Sequence, residues 1–203
     1  MGRKLTAALG ILGALLFIGA SVVGGMLIEG YDVIAQYISE SYAFGTTYGD
    51  PLRYYGFLPS GIALALFSML AIRYMPRSKA ITVGMIGVAI SYGLGTIITA
   101  IFPCDPGCAT DLTNASVSQL IHNLSGGLTY ALMPAWILLV GSGLRKAEKR
   151  LSTMTFTLGV IALLFCWAVL GNLTSQYIGI LQRMAEASIL FWMIRIALFI
   201  RKA

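Results

Sequence analysis

Charged side chains inside a long apolar stretch are the residues best placed to do chemistry in this chain. Ile178 to Ile200 is such a stretch, yet it carries Arg183, Glu186 and Arg195. Arg183 and Glu186 are three apart, so on a helix they share one face, and Gln182 stands beside them in sequence. A charge at the centre of a bilayer costs very roughly 2.5–3.5 kcal/mol, and such groups face a bundle interior with a partner. At about 1.5 Å rise per residue, Arg183 lies roughly 8 Å and Glu186 roughly 12 Å below the start of such a helix. Two readings stand open: a structural ion pair that fixes helix packing, or a pair that binds an anion or a lipid head group. Arg195 lies near the far end, where a long side chain can snorkel to the interface.

His122 is the only histidine. Ser118, His122, Ser125 and Thr129 recur at i, i+4, i+7 and i+11, which makes one polar stripe on a helix. Imidazole gives and takes protons near neutral pH. The stripe therefore serves either as ordinary structural hydrogen bonding or as a catalytic or binding surface. A third group is Cys104-Asp105-Pro106-Gly107-Cys108. Pro-Gly favours a turn, and a turn here brings Cys104 and Cys108 together as a small-loop disulfide in an oxidising compartment. Two Cys and one His supply only three zinc ligands at no familiar spacing, so no metal is expected. There is no phosphate-binding Gly loop, no Gly-x-Ser-x-Gly and no His-Glu-x-x-His, and no cofactor is expected. Cys166 reads as inert packing.

The elements that position these residues come from composition. The chain has 203 residues, 58% of them apolar and 11% charged, with a mean hydropathy of +0.83. A soluble domain carries about 25% charge, so an ordinary soluble enzyme is excluded. Backbone polar groups cannot face lipid unpaired, and the alternation of a barrel strand is absent, so the apolar runs are helices. Six runs are long enough: Leu5–Ile28, Gly56–Met75, Ile81–Phe102, Val117–Leu144, Thr153–Leu173 and Ile178–Ile200. The expected fold is all-α, a polytopic membrane protein of six transmembrane helices forming one domain over residues 1–203. The first run comes after Arg3 and Lys4 but is too long for a signal core, and it reads as a retained helix.

Twelve of the fourteen basic residues fall at one end of these helices, with Glu148 as the one acid there. The other end holds Arg53 and Arg183 against seven acids. Positive loops stay inside, so both termini are expected in the cytoplasm and the protein in the cell membrane. The basic loops are only a few residues long, which argues against a nucleic-acid partner. The sequence leaves the oligomeric state open. Within the outer loop Glu29–Tyr55, Tyr31, Ile34, Tyr37 and Ile38 recur at helical spacing. A short amphipathic helix is expected there, either an aromatic anchor at the interface or a lid over a cavity. Gly87, Ser91 and Gly95, and likewise Gly127, Ala131 and Ala135, lie four apart, which permits close helix packing within the chain.

Several landmarks occur in a fixed order. Glu29-Gly30-Tyr31 comes directly after the first helix, and Ile38-Ser39-Glu40 soon after that. Phe102-Pro103-Cys104-Asp105 closes the third, His122 opens the fourth, and Gly179-Ile180-Leu181-Gln182-Arg183 opens the sixth, with Trp192 further on. In this the chain resembles, over nearly its whole length, the prokaryotic six-helix membrane family catalogued as domain of unknown function 998. In that family Leu-Gly commonly comes after Ile-Ser-Glu, whereas Ser41-Tyr42 stands here. The resemblance implies a fold and a set of positions and brings no established activity.

The matching positions Glu40, Asp105, His122, Arg183 and Glu186 all belong to the outer half, and they are expected to converge on one outward-facing polar pocket. The first reading is a pocket for a membrane lipid or small amphiphile. Arg183 would hold an anionic group, His122 and Asp105 would orient it, and Glu186, Glu40, Gln182, Ser125 and Ser118 would complete the polar lining. A second reading is an intramembrane hydrolase or transferase with His122 as general base, Asp105 or Glu40 orienting it, and Ser39 or Ser125 as nucleophile. A transporter and a purely structural membrane partner are the remaining alternatives.

Overall fold

A computed structural model describes residues 2–111 and 113–202. The long helices are α1 Arg3–Leu27, α2 Gly49–Tyr74, α3 Lys79–Ile101, α4 Val117–Leu144, α5 Lys149–Gly171 and α6 Ile178–Lys202. The first five run for 23 to 28 residues and are long and apolar enough to cross a membrane. At ~1.5 Å per residue they reach about 35–42 Å, more than the ~30 Å of a hydrocarbon core. α6 is as long at 25 residues, although more highly charged, and buried residues run along it from Ile178 to Ile200. The protein is a multi-pass helical membrane bundle.

Two features depart from the pattern expected of the sequence. α2 starts at Gly49, well before the expected Gly56. Its extra turns are held by an ion pair between Asp50 and Arg53, three apart on the helix. Arg53 is buried, with its guanidinium 5.9 Å from the Phe44 ring centroid and 5.3 Å from that of Tyr54. A π-turn at Arg53–Phe57 then carries the chain into the apolar part of the helix. The expected amphipathic helix between Tyr31 and Ile38 does not form. The Tyr31 hydroxyl donates to the Tyr37 carbonyl at 2.6 Å, and Asp32 Oδ1 accepts from the Ile34 N–H at 2.8 Å. Such side-chain bonds compete with the helical ladder. The segment is a series of turns ending in a 3-10 turn at Ile38–Tyr42.

Packing is set by the small residues. α3 lies on α4 where Gly87 meets the Trp136 ring, Gly95 meets Thr129, and Trp136 Nε1 donates to Ser91 Oγ at 2.9 Å. α6 packs against α1 and α5, and its Trp192 is fully buried. The two ends of the bundle differ. At one, Arg3 stacks on Tyr74 at 5.6 Å, Gly143 meets Ser78, and Arg150, Arg195 and Lys202 line one cleft. At the other, the Phe44 N–H donates to the Cys104 carbonyl at 2.9 Å and the Tyr37 hydroxyl to the Leu173 carbonyl at 2.8 Å. The segment 31–44 is thus a strap that crosses this polar end.

Candidate functional site

The start of α6 is built to receive the strap. At Gly179 a Cβ would lie 2.4 Å from the Gln36 carbonyl oxygen, 2.6 Å from that of Val33 and 2.9 Å from that of Ile34. Only glycine leaves room for those carbonyls. The Ile180 N–H donates to the Ile34 carbonyl at 3.0 Å. Arg183 reaches back over the same place. Its Nη1 donates to the carbonyls of Val33 at 2.9 Å, Gln36 at 3.0 Å and Gly179 at 3.0 Å, and its Nη2 donates to the Tyr31 hydroxyl at 2.8 Å. Glu40 stabilises the strap from within, accepting from the Tyr37 N–H and from Gln36 Nε2, both at 2.8 Å.

Arg183 and Glu186 do not pair. Arg183 is occupied by the strap, and among the described residues the one ion pair is Arg53–Asp50. Residues three apart on a helix differ by about 60° in direction. Here that angle separates the strap side of α6 from the bundle interior. Glu186 is buried at 6% exposure and accepts from the Tyr130 hydroxyl at 2.7 Å and from the Tyr92 hydroxyl. Tyr92 sits on a π-turn of α3 at Ala89–Leu94.

Gln182 links the strap to this acid, and the direction of each hydrogen bond is determined. The Ile38 N–H can only donate, and it meets Gln182 Oε1 at 2.7 Å. Gln182 Nε2 therefore donates to the Tyr130 oxygen at 2.9 Å. The Tyr130 proton is then left to point at Glu186 Oε1.

Two adjoining cavities meet at this chain of bonds. The larger, about 260 Å³, has mostly apolar walls, with Tyr37, Ser39, His122, Leu170 and Gln182 among its lining. It owes its space to Gly126 and Gly127, where an added Cβ would meet no atom within 4 Å. The smaller, about 60 Å³, reaches inward to Phe17, Tyr42, Tyr92 and Glu186. Ser39, His122, Gly126, Tyr130 and Gln182 line both. Cys104 and Cys108 are joined in a disulfide with Cα atoms 5.0 Å apart. It pins the neighbouring loop against the strap, with Cys108 Sγ 3.4 Å from Ser39 Oγ.

Of the residues singled out in the sequence, His122, Gln182, Glu186 and Cys108 lie on the cavities together with Ser39 and Thr129, whereas Arg183, Glu40, Asp105, Ser118, Ser125 and Cys104 do not. His122 Nδ1 is 2.9 Å from the Phe102 carbonyl oxygen, which only accepts, so Nδ1 carries the proton. Asp105 does not orient it. Asp105 Oδ2 accepts from the Ser116 N–H at 2.9 Å, and its own N–H donates to Gln119 Oε1 at 2.6 Å. Ser116, through its hydroxyl and its N–H, holds the Asp105 carboxyl below its ordinary range. Ser118 donates to the Pro103 carbonyl at 2.6 Å and Ser125 to that of Gly95 at 3.3 Å, so the stripe on α4 mainly joins that helix to the end of α3 and its loop. Tyr92, Tyr130 and Gly126 escape a reading of the sequence for sites, and Gly127 stands out there only as a packing residue. A tyrosine hydroxyl inside an apolar helix needs a partner, and that is the available signal for the first two.

Residues 11–198 match the family described as "Protein of unknown function (DUF998)". The chain belongs to that family. No curated protein and no solved structure matches it.

Proposed function

We propose that this DUF998 member binds a lipid or another small amphiphile in the cavity between α4, α5 and the start of α6. The observation that carries the reading is the paired Gly126 and Gly127, which leave about 260 Å³ unfilled beside the polar groups of His122 and Gln182. A largely apolar cavity with a few convergent polar groups is the usual form of a small-molecule site. Val169, Leu170 and Leu173 offer a surface for an apolar tail. In this reading Arg183 fastens the strap over the site and is not the ligand's anchor. The charge asymmetry supports cytoplasmic termini in the cell membrane, with the cavity in the outward-facing half.

The test is native mass spectrometry of the purified protein and of Gly127→Leu. The new side chain starts in open space and removes a helical glycine, a gain of about 0.5–1 kcal/mol relative to glycine for a residue such as Ala. The variant is expected to melt no lower than the wild type and to lose an amphiphile adduct that the wild type retains. A wild type that is always bare, or an adduct that survives in the variant, would refute the reading.

A further inference from the structure

We propose that the amphiphile taken by this cavity carries a protonated amine as its head group, with the Glu186 carboxylate as its counter-charge. The inference rests on the cavity being a ligand site.

Charge is the first argument. Among the described residues no Lys or Arg lines either cavity, and Glu186 is the one acid in their lining. An uncompensated carboxylate away from water is costly, and an ionisable group within a membrane bundle is a candidate functional group. The groups that face Glu186 are Tyr92 from α3, Tyr130 from α4, Cys166 from α5, Tyr42 from the strap and Gln182 from its own helix, while α1 presents Phe17. None of these is a cation. His122, the other titratable group in the lining, bonds to the Phe102 carbonyl and not to Glu186. The acid is therefore either neutral or balanced by a charge that a ligand brings.

Hydrogen-bond capacity is the second argument. A carboxylate has about four lone-pair sites. Two are filled, one by each tyrosine hydroxyl. The orientation imposed through Gln182 makes Oε1 an acceptor, so the site asks for donors and offers no second carboxylate to compete for them. An ammonium brings three donors and a full positive charge, and a hydrogen bond between two charged partners is among the strongest available.

Shape and ring faces are the third. The inner chamber is about 60 Å³, room for a primary amine and little more, and the larger cavity of about 260 Å³ lies next to it for the tail. Phe17, Tyr42 and Tyr92 line the chamber, with the Phe17 and Tyr92 centroids 6.0 Å apart. Aromatic faces within about 6 Å attract a cation. An anionic head group would meet the same acid and the same negative ring faces and be turned away.

The experiment compares three single-chain probes of equal length, dodecylamine, dodecanol and dodecanoate, in a non-ionic detergent at neutral pH. Affinity is read from the ligand-induced shift of thermal unfolding and from native mass spectrometry. The amine is expected to bind wild type about tenfold or more tightly than the alcohol, and the acid less tightly than either. Glu186→Gln is expected to bring the amine down to the alcohol, and Glu186→Asp to keep the preference. Gly127→Leu is expected to lose all three. Equal binding of amine and alcohol, or preference for the acid, overturns the assignment from the wild type alone, whether or not the Glu186 variants fold. An amine preference that persists in Glu186→Gln also overturns it. Alcohol and amine binding equally, both lost in Gly127→Leu, leaves the cavity as a ligand site and removes only the amine. No binding of any probe removes both.

Discussion

Replacing Gln182 by Met tests the tie between strap and bundle. Met keeps the length and apolar volume of the side chain and deletes its amide. That amide is buried, accepts from the Ile38 N–H at 2.7 Å and donates to Tyr130 at 2.9 Å. Its loss leaves the Ile38 N–H without an acceptor, at about 1–3 kcal/mol, and removes one donor from the Tyr130 oxygen, at about 0.5–1.5 kcal/mol. Ile38 can recover a partner only by lifting the strap into water, so the cost falls on strap closure. The Tyr130 bond joins α6 to α4 and is missing with the strap open or closed, so it cancels, and the remaining ~1–3 kcal/mol raises the open population roughly 5- to 140-fold. Hydrogen exchange read by mass spectrometry in detergent reports this directly. Amides of 38–44, including the Phe44 N–H that bonds to Cys104, are expected to exchange faster by that factor, while the middle of α2 stays as protected as in the wild type. Exchange over 38–44 that changes by less than a few-fold would refute the assignment of Gln182 as the tie.

Two further predictions concern the other fastenings. Arg183→Lys replaces a planar fork by a single ammonium, which cannot serve the carbonyls of Val33, Gln36 and Gly179 and the Tyr31 hydroxyl together. Exchange over 33–36 is expected to rise about 10- to 100-fold, in line with a loss of ~1–3 kcal/mol, and an unchanged rate there would sink the clamp. Burial, with the Glu40 charge adding to it, pushes the Tyr37 phenol from 10.0 up to about 12. Its folded value lies above its unfolded one, so its contribution to strap closure is complete below pH 10 and is lost as pH rises toward 12. In a tyrosinate absorbance titration Tyr37→Phe should lose one tyrosine's amplitude near pH 12 and none near pH 10, and a loss near pH 10 instead would contradict the assignment.

The helices are legible in the sequence because a bilayer demands long apolar runs, and Val117–Leu144 is located to the residue. The start of α2 is not, because its first turns are polar and are held by the Asp50–Arg53 pair and the rings around Arg53, which a hydropathy window does not see. The strap misleads for a related reason. Tyr31, Ile34, Tyr37 and Ile38 have helical spacing, but Asp32 and Tyr31 bond to nearby backbone groups and draw the chain into turns. Local competition of this kind depends on side-chain geometry, which spacing alone does not fix.

The ordered motif at the start of α6 is visible in the sequence, but its division of labour is not. Gly179, Ile180, Gln182 and Arg183 form one docking edge for the strap: a gap, an N–H, an amide and a guanidinium, each met by the strap. Adjacent residues on a helix diverge by about 100°, so Gln182 and Arg183 hold different parts of the strap, and Gln182 alone also bonds to the interior. Sequence proximity suggests that Arg183 neutralises Glu186. The strap's carbonyls compete for that guanidinium, and they satisfy several of its donors at once. Glu186 bears the consequence of that competition. With Arg183 committed to the strap, the acid is left with two tyrosine hydroxyls, no cation among the described residues that line its chamber, and about 60 Å³ of space in front of it. The residue that fastens the strap is thereby the reason the interior acid is free to act as a counter-charge for a ligand. The separation runs one way: among the described residues Arg183 and Glu186 share no hydrogen-bond partner, so Glu186→Gln should weaken amine binding and leave hydrogen exchange over 33–36 unchanged.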